Sequence, residues 1–139
     1  MNIKKVGLGG LFAGLILIIV NVLAQLLLAE RAQREMYAVI PDAAERLAIG
    51  AAALSAGIFM KIVIGIILAW LYAALRPRFG SGVRTAAIVT LIVWVLGGIF
   101  SSDLMFLGMM SGLTYFTIEV FQLLGLIFGT LVCAWIYTK

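Results

Sequence analysis

The chain has 139 residues, 65% of them hydrophobic and 12% charged, where a soluble domain has roughly 45–50% and about 25%. The net charge of +4 sits at segment ends and forms no basic, aromatic-interleaved surface, which argues against nucleic acid as a partner. There is no histidine and one cysteine, Cys133. The commonest metal ligand, the commonest general base and an internal disulfide are therefore all missing.

Residues 6–28 form the first apolar run, behind Lys4 and Lys5. It exceeds the roughly 7–15-residue core of a signal peptide, so it is read as a membrane helix. Glu30/Arg34 and Arg31/Glu35 are spaced i,i+4, so this helix is expected to continue into water. Pro41 suits a helix N1 position, with Asp42 and Glu45 in the first turn and Asp42/Arg46 as another i,i+4 pair. A helical extracytoplasmic hairpin over about residues 29–47, turning at Val39–Pro41, is the expectation.

The second span is expected over about 48–75, with Ala53 and Gly57 allowing close helix approach and Pro77 ending it. Gly80-Ser81-Gly82 then turns the chain. The third span is placed at about 85–109, with Asp103 inside it facing other protein, and the fourth at 112–137. Placing Lys4, Lys5, Arg76, Arg78, Arg84 and Lys139 on the inner side leaves no acidic residue there, the pattern of the positive-inside rule. Trp70, Tyr72, Trp135 and Tyr137 then fall at the inner interface. The expected fold is an all-α integral membrane four-helix bundle, up-down-up-down, a single transmembrane domain with both termini cytoplasmic.

Six polar residues interrupt the apolar spans: Asn21, Gln25, Lys61, Asp103, Glu119 and Gln122. Counted at the helical rise, Asn21, Lys61, Asp103, Glu119 and Gln122 lie about 21 to 27 Å from the inner ends of their helices, in one layer. A charge at a helix centre costs roughly 2.5–3.5 kcal/mol on insertion scales. Pairing Lys61 with Glu119 is the economical arrangement. Such a cluster fixes helix register, serves as a relay or binding site for a charged species, or pairs with a partner subunit across the membrane.

A second candidate is the inner turn, where Arg76, Arg78 and Arg84 flank Gly80, Ser81 and Gly82 at a helix start, a setting for lipid phosphates or other anions. No Walker-type phosphate loop is present.

The stretch Tyr72-Ala73-Ala74-Leu75-Arg76-Pro77-Arg78-Phe79-Gly80-Ser81-Gly82 resembles the turn of small uncharacterised bacterial four-helix inner-membrane proteins. That group also has a glycine-rich first helix and a tail like Trp135-Ile136-Tyr137-Thr138-Lys139. The resemblance implies a multi-pass protein of the bacterial inner membrane and carries no activity with it.

The functional expectation is a non-enzymatic accessory subunit of a larger membrane complex, of respiratory or photosynthetic type. Its partners would be membrane lipids and that complex, or further copies of itself through small-residue helix faces. It would need no cofactor of its own, although lipid or pigment can lie in its surface grooves. The alternative is a small homo-oligomeric transporter or channel using Lys61 and Glu119.

Overall fold

The structure, a computed structural model, describes residues 2–40 and 51–138, with the side chains of residues 51–53 excepted. The elements are α1 (Ile3–Val39), α2 (Ala51–Phe79), α3 (Val83–Ser101), the single turn α4 (Asp103–Phe106) and α5 (Gly112–Thr138). Four helical stretches, Ile3–Val39, Leu54–Phe79, Val83–Phe106 and Gly112–Thr138, are long and apolar enough to cross a membrane. Only 22% to 33% of the apolar window in each is buried by the rest of the chain. So much outward apolar surface is stable in lipid and not in water, and the chain reads as a multi-pass membrane protein.

Helix α1 organises the packing. Asn2 caps it, its side-chain oxygen accepting from the Lys5 N–H at 3.3 Å. Its buried residues include Val6, Gly9, Gly10, Ala13, Gly14 and Leu17, a narrow stripe of mostly small side chains. That stripe admits two neighbours. On one side Gly10 lies against Ile66 and Gly14 against Ile62, with Gly65 pressed onto the α1 backbone at Gly10 and Gly14. A methyl added at Gly65 would come within 2.8 Å of the Gly14 Cα. On the other side Gly9 meets Cys133, Ala13 meets Gly129 and Leu17 meets Gly125. Rising numbers on α1 meet falling numbers on α2 and on α5, so both helices run antiparallel to it.

Helix α3 packs against α5, with Thr90 bonded to Thr130 at 2.6 Å and Ser101 bonded to Glu119 at 2.7 Å. The largest fully buried side chains include Tyr72, Leu68, Val89 and Thr85, toward the end of the molecule that carries the basic turn. There the Tyr72 and Tyr137 rings meet edge to face, 6.1 Å apart. The Tyr137 hydroxyl accepts from the Asn2 N–H at 3.0 Å, and the Tyr72 hydroxyl accepts from the Gly82 N–H at 2.9 Å.

Two sequence expectations change. Pro77 lies inside α2 instead of ending it. A proline withholds only its own donor, so one this close to a helix end spoils a single bond. The helix runs on to Phe79 and stops at Gly80, whose φ of +87° a side chain rarely adopts. Beyond α3 the helical path continues through Ser102 into α4 and ends after Phe106, with Gly108 at φ +72° leading out. Asp103 is exposed there and does not face the rest of the chain.

The continuation of α1 past the apolar run is present, with both expected ion pairs: Arg31–Glu35 at 3.4 Å and Arg34–Glu30 at 3.2 Å. At 37 residues the helix is about 55 Å long, well beyond the roughly 30 Å hydrocarbon core. The second arm of the expected hairpin, with Pro41, Asp42, Glu45 and Arg46, lies outside the described residues.

Candidate intramembrane binding cavity

The polar layer read from the sequence divides into separate environments. Asn21 on α1, Lys61 on α2 and Gln122 on α5 line one cavity of about 410 Å³ between the helices. The rest of its wall is apolar or glycine, including Leu17, Ile64, Ile67, Leu96 and Phe121. Gln25 lies just outside and donates to the Asn21 side-chain oxygen at 3.1 Å. That bond uses the Asn21 acceptor and leaves its amide N–H groups free to face a ligand.

Glu119 is not in this cavity, and it does not pair with Lys61. The ion pairs among the described residues are the two on α1. Glu119 is instead 4% exposed against α3, where its Oε1 accepts from the Ser101 hydroxyl at 2.7 Å. Gly14 of α1 meets Lys61 and Ile62, whereas Glu119 lies beyond Gly125, which meets Leu17, so the two residues differ in level along the bundle as well as in the face they occupy. Trp94, Gly98 and Ser101 recur at i, i+4 and i+7 on α3, a spacing that brings them onto one helix face. That spacing was the available sign of where Glu119 docks.

Lys61 therefore stands in the cavity wall without a hydrogen-bond or ion-pair partner among the described residues. Its amine donates hydrogen bonds whether or not it carries a proton. With the Asn21 and Gln122 amides it offers donors from three helices at the edge of an apolar space. The volume is within the roughly 300–1,000 Å³ typical of small-molecule sites, and the apolar wall with few convergent polar groups is their usual composition.

The basic turn forms as expected but is occupied by its own chain. The Arg76 guanidinium lies 5.3 Å from the centre of the Tyr137 ring, a cation–π contact. The Gly82 N–H is taken by Tyr72, and the Gly80 carbonyl accepts from Thr85 at 2.6 Å. Arg78, Ser81 and Arg84 are exposed at the surface.

One site residue escaped the sequence reading. Glu35 accepts from the Ser111 N–H, the Ser111 hydroxyl and the Thr114 hydroxyl, each at 2.8 Å, as well as from Arg31. It caps the start of α5 from a helix 76 positions away in sequence. Only the i,i+4 spacing to Arg31 was visible beforehand.

Comparison with protein-family models, with curated proteins and with solved structures returned no match. The residues themselves carry the functional argument.

Proposed function

We propose that the chain is a non-enzymatic membrane protein that holds a lipid-soluble acid between its helices. The acidic head sits against Lys61, Asn21 and Gln122, and the apolar body fills the cavity. The observation that supports this most directly is that Lys61, in an apolar cavity whose other polar groups are amides, has no partner among the described residues. An amine in an apolar wall without a counter-charge is unfavourable, and a bound acid relieves it by sharing its proton with the amine. The chemistry offered is recognition, so the protein acts as a holder or carrier, an accessory to whatever larger membrane assembly makes or consumes the acid.

In this reading the helices form an up-down-up-down bundle in a bacterial inner membrane. The Arg76–Arg84 turn and both ends of the chain face the cytoplasm, following the positive-inside bias.

Native mass spectrometry from the native membrane, in mild detergent, tests the proposal. Wild-type protein is expected to carry an acidic, lipid-soluble adduct that Lys61→Leu loses, and to co-purify with a larger assembly. An adduct pattern identical in wild type and Lys61→Leu would sink the ligand assignment. A lone homo-oligomer that retains the adduct would turn the accessory role into a transport role.

A further inference from the structure

Glu119 is a buried charged group outside the Lys61 cavity. Its Oε1 is satisfied by Ser101, but its Oε2 is buried with no hydrogen-bond partner. Such an atom in a native fold calls for an explanation, usually a ligand or water.

The surrounding donors are already committed. The Ser101 hydroxyl donates to Oε1 at 2.7 Å, the Tyr115 hydroxyl donates to the Gly98 carbonyl at 2.7 Å, and the Trp94 indole N–H donates to the Glu119 carbonyl at 3.1 Å. Oε2 is left without a donor, while the neighbouring Ser101 and Tyr115 hydroxyls, with their protons directed to other acceptors, keep lone pairs. Gly98 is what gives them a common border. A methyl added there would lie 3.3 Å from Oε2 and 3.5 Å from Tyr115 Oη. An array of oxygen acceptors with no donor aimed at it, around one carboxylate, is the donor set of a hard cation.

We infer that Glu119, Ser101 and Tyr115 form a binding site for a single sodium ion at the α3–α5 contact. Charge selects the valence. The site carries one carboxylate, and neither ion pair among the described residues involves Glu119, so a monovalent ion leaves it neutral in a low-dielectric layer. A divalent ion would leave a net positive charge there, which is costly. No group of three His, Cys, Asp or Glu side chains able to hold a metal occurs among the described residues. A sodium site does not need one, because neutral hydroxyl oxygens serve as ligands beside a single carboxylate. Occupancy would bridge α3 to α5 through an atom that otherwise contributes nothing to that contact.

The test is equilibrium binding of radioactive sodium to the purified protein in detergent, with melting compared in NaCl and in choline chloride at equal ionic strength. Wild type is expected to bind about one sodium per chain, to melt at a higher temperature in NaCl, and to lose both properties in Glu119→Gln. Ser101→Ala and Tyr115→Phe keep the carboxylate and each remove one hydroxyl oxygen, so each should weaken binding roughly tenfold. Wild-type binding no greater than that of Glu119→Gln would overturn the assignment, as it would if water filled the space. If Glu119→Gln does not fold, undiminished sodium affinity in both hydroxyl variants overturns it equally.

Discussion

The Glu35 carboxylate accepts a hydrogen bond from the Ser111 N–H at 2.8 Å, joining the extramembrane end of α1 to the first turn of α5. Four donors converge on this one side chain, which holds its pKa well below the ordinary value, at about 2 against 4.5. The Ser111 backbone bond is the largest cause, followed by the Thr114 hydroxyl. A group with a depressed folded pKa contributes stability above its unfolded pKa and loses it as the pH falls toward the folded one. The Glu35 contribution is therefore complete above about pH 4.5 and lost as the pH falls toward 2. Melting in detergent should show wild type more stable than Glu35→Gln at neutral pH, with the gap closing through that window. A gap independent of pH would show that the tie is not carried by the charge.

Gly65 sets the distance between α1 and α2. Its missing side chain lets Gly10 and Gly14 of α1 touch the α2 backbone. Gly65→Ala places a methyl against main chain that cannot move aside, so it should destabilise by about 1–3 kcal/mol. Gly57→Ala meets nothing within 4 Å and should be neutral or slightly stabilising, by up to about 1 kcal/mol. Thermal melts of the two alanine variants side by side check this.

The Thr90–Thr130 hydrogen bond, buried between α3 and α5, is 2.6 Å long. Interhelical hydrogen bonds in membrane proteins average about 0.6 kcal/mol. A double-mutant cycle with Thr90→Val and Thr130→Val should return a coupling of that order. Zero coupling would mean that the Thr130 hydroxyl is satisfied by the Leu126 and Ile127 carbonyls alone.

Because Lys61 and Glu119 do not pair with each other, Lys61→Leu and Glu119→Leu should have additive effects on stability, within about 0.5 kcal/mol. A double variant markedly more stable than the sum of the singles would restore the ion pair expected from the sequence.

The spans were legible because an apolar run long enough to cross a bilayer has few other uses, and the i,i+4 pairs after Glu30 carried α1 on past the apolar run as read. What could not be read was rotation about each helix axis. Lys61 faces the cavity, whereas Glu119 faces Ser101. Spans that are apolar all round carry no amphipathic stripe to fix that angle, whereas small residues do. The Gly10/Gly14 and Gly125/Gly129 pairs both mark internal contacts with neighbouring helices. Pro77 misled for a different reason, since its effect on a helix depends on how near the end it falls.

The bonds Asn2–Tyr137 and Glu35–Ser111 lie at opposite ends of the α1–α5 contact. Two helices fastened top and bottom cannot change their inclinations separately. When the bilayer thins or thickens, a free helix answers the mismatch by leaning, but this pair has to lean as one body. The cavity wall contributed by Asn21 and Gln122 would then keep its shape across membranes of different thickness.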